Sequence, residues 1–232
     1  MSLGKVAVLF TGGKDSTYAI QKLRSLGYEV SCLVSMISEN PFSYMLHTPN
    51  ICIAELSATA LEIPIFFGHT LGEEGKELQE ISDSIAEARK RYGFNFLASG
   101  GLSSNYQKSR IEKIGNQLGV ESLAPLWGIE QSQYIQILVD KGYHYILTSI
   151  SAAGLNEKWL GREIDEGAVD ELLNLSRKYQ FNPAFEGGEA ETLVLDCPLF
   201  LKKRLDIIES DRKWDGVRGT LLIKKAILVD KS

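Results

Sequence analysis

Six consecutive residues, Thr11-Gly12-Gly13-Lys14-Asp15-Ser16, combine two hydroxyls, an amine and a carboxylate around a pair of glycines. Glycines let a backbone approach an anion with no Cβ in the way and take φ angles closed to other residues. Where such a turn opens a helix, the free N–H groups and positive dipole end hold a phosphate or pyrophosphate. Thr11 and Ser16 add hydroxyl donors, Lys14 adds a cation, and Asp15 is placed to hold Mg²⁺ or to cap the helix. A bare Gly-Gly turn with an Asp or Ser cap is the alternative. The complete hexapeptide at the first strand–helix junction favours phosphate binding, and it matches neither G-x-x-x-x-G-K-[ST] nor G-x-G-x-x-G.

A second run repeats this design: Ser99-Gly100-Gly101-Leu102-Ser103-Ser104 leaves a strand and enters a helix carrying Gln107 and Arg110. These two are three apart, so one helical face presents both, either to a ligand or to solvent. Glu186, Glu189 and Glu191 flank Gly187 and Gly188 just before an apolar strand. Clustered carboxylates suit Mg²⁺ or the positioning of an amine or ammonium, and a solvated acidic loop is the competing reading. Pro125-Leu126-Trp127-Gly128 reads as an apolar turn with a core tryptophan. His47 precedes a helix that Thr48 or Asn50 can cap, and a lone histidine there is structural. Cys32, Cys52 and Cys197 are widely spaced, form no C-x-x-C pair, and read as buried small hydrophobes.

The elements that position these residues alternate. Val6 to Phe10 is a short apolar run typical of a strand covered on both faces. A helix from Ser16 to Leu26 stops at Gly27, and strands at Tyr28 to Val34, Ile63 to Phe67 and Phe94 to Ala98 alternate with helices at Asn50 to Leu61 and Glu74 to Tyr92. Ser103 to Leu118 and Gln131 to Lys141 are helical, and Tyr143 to Ile150 reads as the strand that closes this first domain. The expected fold class is α/β, a doubly wound, mostly parallel, Rossmann-like sheet over residues 1–150, followed by a smaller α+β lobe over residues 151–232. That lobe holds a helix at Glu166 to Tyr179 and strands at Thr192 to Leu195, Arg204 to Glu209 and Leu221 to Val229, with Asp215-Gly216 turning between the last two.

The 232 residues suffice for one core or a core with an appended lobe, and 44% apolar with 24% charged residues is ordinary globular usage. No apolar run is long enough to cross a bilayer and the N-terminus leads straight into a strand, so no membrane association and a cytoplasmic location are expected. A net charge of −5 counts against broad nucleic-acid binding. The locally basic stretch from Lys202 to Lys225 reads as a solvated strand face rather than a docking patch.

The first hexapeptide resembles the PP-loop, S-G-G-x-D-S, of the N-type ATP pyrophosphatases, with Thr11 keeping the hydroxyl of the first serine. Further segments resemble one branch of that superfamily, the diphthine-ammonia ligases or diphthamide synthetases. They are S-Y-M-L-H-T-P-N at 43–50, S-S-N-Y-Q-K-S-R-I-E at 103–112, L-A-P-L-W-G at 123–128, G-L-N-E-K-W-L-G-R-E-I-D at 154–165 and E-G-G-E-A-E-T-L-V-L-D-C-P at 186–198. Gly100-Gly101 departs from the G-D pair of some members, and Ala190 replaces an aromatic residue common there.

The resemblance implies ATP and Mg²⁺ as cofactors, with translation elongation factor 2 and ammonium as partners. Diphthine on the factor would be adenylated and then amidated, releasing AMP and pyrophosphate. ATP would sit on residues 11–16, with Gly100, Gly101, Ser103, Ser104, Gln107 and Arg110 contributing and Asp15 holding the metal. Asp15, Lys14, Glu186, Glu189 and Glu191 would carry the chemistry. No Cys–His pair suited to a glutaminase is visible, so free ammonium or a separate protein supplies the nitrogen. A homo-oligomer is open to such a chain. The rival readings are another PP-loop ligase acting on tRNA and a nucleotide sensor without chemistry.

Overall fold

Val6, Val8 and Phe10 are buried on one face of the first strand, β1 (Gly4–Leu9), while Ala7 packs on the other, which is why the apolar run is unbroken. The computed structural model describes residues 2–39, 50–73 and 76–231. β1 is central in a parallel sheet of order β3-β2-β1-β4-β5, with β2 (Tyr28–Ser38), β3 (Ile65–Thr70), β4 (Phe96–Ala98) and β5 (Glu121–Leu123). The order reverses beside β1, so the cleft between the ends of β1 and β4 is the switch point where ligands of such sheets bind. Helices α3 (Glu77–Tyr92) and α4 (Asn105–Leu118) cover one face with Ile81, Ile85, Ala88, Ile111 and Ile114. On the other face lie α1 (Lys14–Ser25) and α2 (Ala54–Leu61). α1 ends where Gly27 takes φ +91, a turn that a side chain would strain.

The sequence reading makes Tyr143 to Ile150 the closing strand of the first domain, and here the structure corrects it. Residues His144–Ile150 form β6, which pairs antiparallel with β7 (Ala190–Asp196) and β9 (Gly219–Asp230) in a second sheet of order β7-β6-β9-β8. A short apolar run reads alike for a central strand of either sheet, so composition carries no pairing information. β8 (Lys203–Trp214) and β9 are longer than the sequence reading and meet at the expected turn, where the Asp215 carboxylate accepts from the amides of Val217 and Arg218. The basic stretch here is a solvated strand face, with Lys224 reaching Asp211 at 2.6 Å.

α5 (Gln131–Asp140) and α6 (Glu166–Tyr179) complete the chain, and a single core runs from the α1 face of the first sheet into the second. Tyr18 on α1 joins them, its ring 5.9 Å from that of Tyr134 and 5.6 Å from that of Tyr143. The C-terminal end is pinned by Lys231, whose Nζ donates to Asp196 Oδ1 at 2.7 Å, to the Phe200 carbonyl at 2.9 Å and to the Cys197 carbonyl at 3.3 Å.

Smaller expectations also change. Cys52 is exposed, whereas Cys32 and Cys197 are buried. Leu126 fills the core position of its turn and Trp127 is 37% exposed, with the Lys108 amine 4.4 Å from its ring centre. Asn50 caps nothing; at φ 68 its side chain bridges the backbone of Leu221 and Ile223 on β9. His47 and Thr48 lie outside the described residues.

Candidate functional site

The glycine turn of residues 11–16 is a short path between β1 and α1. Gly12 has φ +78, and Gly13 is the extended N-cap of α1 with no side chain to cap it. The turn is braced from outside: Val194 N donates to the Gly12 carbonyl at 3.0 Å, and Lys14 N to Thr192 Oγ1 at 3.1 Å. Within it, Gly13 N meets Thr11 Oγ1 and Thr11 N meets Ser16 Oγ, both at 3.4 Å. Among the described residues the amides of Asp15 and Ser16 meet no acceptor, which leaves two aligned donors at the positive end of a twelve-residue helix.

In front of them opens a cavity of about 420 Å³, the size of a small-molecule site. Thr11, Asp15, Ser16, Gly100, Gly101, Ser104 and Gln107 give it a polar wall. Val34, Met36, Ile81 and Ile111, all from the face covered by α3 and α4, give it an apolar end. Glu186, Glu191 and Thr192 close it from the second lobe.

Lys14 does not point freely into this space. The residue is buried, 1% exposed, and Nζ donates to Asp15 Oδ1 and Oδ2 at 2.9 and 2.8 Å and to the Ala184 carbonyl at 2.8 Å. Burial pushes the nearby Glu191 carboxyl up to about 7; Asp15 adds to that rise and Lys14 opposes it. A carboxyl held near neutrality beside a cavity can take or give a proton at working pH.

The three glutamates do different things. Glu186 Oε2 accepts from Leu102 N at 3.2 Å and Ser103 N at 3.1 Å, tying the second lobe to the loop before α4. Glu189 is spent on its own loop, accepting from Asn182 N at 3.0 Å and Gly187 N at 2.8 Å. Glu191 alone keeps its carboxyl for the cavity with a raised pKa. Just upstream, Phe185 holds φ +65, a cost of order 1–3 kcal/mol that places its ring 5.5 Å from the Lys14 amine.

Of the residues picked out from sequence, Gly12, Gly13, Ser103, Arg110 and Glu189 lie off the cavity wall. The glycines shape the turn, Ser103 Oγ accepts from Gln131 Nε2 at 2.7 Å, and the Arg110 guanidinium stacks 3.9 Å from the Tyr106 ring centre. Thr192, Tyr106, Phe185 and the apolar end were missed, and the hydroxyl of Thr192 two places before Val194 was the one readable signal among them.

Mg²⁺ fits this donor set in one way. Asp15 is the carboxylate beside the hydroxyls of Thr11 and Ser16, its side chain 31% exposed, and among the described residues no three His, Cys, Asp or Glu converge as a preformed cage. Such a site suits an ion carried mainly by substrate phosphates and water.

A Rossmann-like parallel sheet with a glycine-rich first crossover and a switch-point cavity facing it is the architecture of a PP-loop nucleotide-binding protein. The model described as the diphthamide synthase N-terminal domain matches residues 4–122, and the one described as the diphthamide synthase C-terminal domain matches residues 130–229. The chain belongs to the diphthamide synthase family. It is similar to diphthine–ammonia ligases from Danio rerio (30% identity, 98% of each chain) and Bos taurus (30%, covering 86% of this chain and 81% of that protein). Similarity to the Schizosaccharomyces pombe ligase is 33% over 89% of this chain, which spans 36% of that protein.

Proposed function

We propose that the chain is an ATP-dependent ligase that converts the carboxylate of diphthine on translation elongation factor 2 to its amide with ammonium. One observation carries the reading: a single cavity brings the unpartnered amides of Asp15 and Ser16 opposite Glu191, in a member of this family. The apolar end, lined by Val34, Met36, Ile81 and Ile111, takes the flat purine. The triphosphate lies along the phosphate turn, where hydroxyls and helix-end amides meet its charge.

Amide formation from a free carboxylate is slow because a carboxylate is a poor electrophile. Attack of its oxygen on the α-phosphorus expels pyrophosphate and leaves a mixed anhydride. Ammonia then attacks the acyl carbon and AMP departs. Ammonium must first lose a proton to have a lone pair, and Glu191 is the base suited to take it. Asp15 would hold Mg²⁺, which would supply charge neutralisation at the phosphates. Gln107 and Ser104 line the same wall as Gly101, and we assign them to the ribose and α-phosphate.

The second lobe receives the protein-borne carboxylate beside residues 186–191, and the nitrogen comes as free ammonium or from a separate protein. Among the described residues no helix is long and apolar enough to cross a membrane, and we assign the enzyme to the cytoplasm.

The test is the fate of α-labelled ATP mixed with the chain, diphthine-bearing elongation factor and ammonium. Labelled AMP in proportion to amide is expected; ATP bound but unchanged would make the chain a sensor instead. Asp15→Asn keeps an acceptor for the buried Lys14 amine, so it folds, and it should abolish AMP release.

A further inference from the structure

The groups around the Lys14 amine would hold any small cation. Nζ lies against the Asp15 carboxylate and the Ala184 carbonyl, 5.7 Å from the Tyr134 ring centre and 5.5 Å from that of Phe185. Carboxylate, carbonyl and aromatic faces are the chemistry by which proteins recognise ammonium groups.

Beside this cage stand two buried hydroxyls, that of Tyr134 close to the Asp15 carboxylate. Tyr134 and Tyr145 are both 0% exposed, and among the described residues neither hydroxyl has a hydrogen-bond partner of acceptable geometry. A phenol is neutral at working pH and has lone pairs to offer. A buried hydroxyl left orphaned in a native protein marks a missing water, ion or ligand. An ammonium ion needs acceptors for its N–H groups, and this chamber offers the two phenol oxygens, the Ala184 carbonyl and the carboxylate.

We propose that the chamber bounded by Asp15, Glu191, Ala184, Tyr134 and Tyr145 binds the ammonium substrate, and that Lys14 vacates it when nucleotide phosphates draw its amine outward. The inference rests on the ligase reading and deepens it. Lys14 heads α1 and also lines the nucleotide cavity, so its amine has a triphosphate within the same space to turn to. Once it turns, the Ala184 carbonyl, the phenol oxygens and Glu191 have lost the amine that faced them, and a small cation is drawn in. ATP binding therefore precedes ammonium binding, and the amine of Lys14 closes the chamber to ammonium until then.

Tyr134→Phe combined with Tyr145→Phe removes two hydroxyls that make no well-formed hydrogen bond among the described residues and keeps both rings in the core, so the double variant keeps its fold. In the full reaction its KM for ammonium should rise by about tenfold or more, with kcat at saturating ammonium and KM for ATP unchanged. Separately, with a non-hydrolysable ATP analogue bound, ammonium chloride should raise the melting temperature of the unsubstituted chain over matched sodium chloride by about 2 °C or more, and not that of the double variant. An unchanged ammonium KM, or equal melting in the two salts, overturns the proposal and leaves the hydroxyls to water. Should the unsubstituted chain release no AMP, the ligase reading falls, and the melting comparison still decides whether the chamber takes ammonium.

Discussion

Gly100, just beyond β4, lies flat against the first turn of α1: a Cβ there would come within 2.6 Å of the Asp15 carbonyl carbon and 2.8 Å of the Ser16 nitrogen. The backbone leaving β4 thus touches the backbone that presents the unpartnered amides. Only a residue without a side chain permits that approach, because backbone on the other side cannot yield as a flexible side chain would.

Gly100→Ala forces the two segments apart. We expect a loss of about 1–3 kcal/mol in stability, as for other overpacked contacts. The KM for ATP should rise by about tenfold or more. Urea denaturation and ATP-dependent AMP release measure the two, and an unchanged KM would mean that the amides work without this contact.

Glu191 makes stability depend on pH. Its carboxyl is raised from 4.5 to about 7 in the folded chain, so between these values the native state holds a proton that the unfolded state has released. Stability therefore falls as pH rises through this window, by about 3 kcal/mol at order of magnitude. Glu191→Gln removes the effect: the variant should match the parent near pH 4.5 and exceed it at pH 8. The parent's AMP release should climb with pH through about 7 as the base ionises, a step the variant lacks.

The division of labour among the glutamates separates two kinetic constants. Glu186→Ala frees the Leu102 and Ser103 amides, loosens the loop carrying Gly100 and Gly101, and should raise the KM for ATP. Glu189→Ala unpins Asn182 and Gly187 and should raise the KM for the protein substrate, leaving that for ATP in place. Equal effects of both changes on both constants would show that the two loops move as one.

Lys231→Met removes an amine shared by Asp196, Cys197 and Phe200. We expect a loss of about 2 kcal/mol, read as a lower urea midpoint with an unchanged slope. Turnover at 25 °C should hold, since none of these residues lines the cavity.

What was legible in the sequence was local. The glycine turn of residues 11–16 and the first strand depend on neighbours in the chain, and their letters state them. What stayed hidden depended on distant partners. The run 144–150 is equally at home in either sheet until β7 and β9 claim it. A lysine stem reaches outward to a phosphate or inward to Ala184 with equal ease, and only the fold brings that carbonyl near, 170 residues on. Three glutamates within six positions look alike until Leu102, Asn182 and the interior take one each. Short β5, three residues long, has no pattern to read at all. Tyr134 and Tyr145 sit at positions that read as core, and nothing but their unanswered hydroxyls sets them apart.

The braces on the phosphate turn come from Thr192 and Val194, far along the chain from the residues they steady. On the ribosome the hexapeptide emerges early, can join its strand to its helix, and must then wait for most of the polypeptide. A chain ending before residue 192 would therefore hold the hexapeptide without the contacts that steady it.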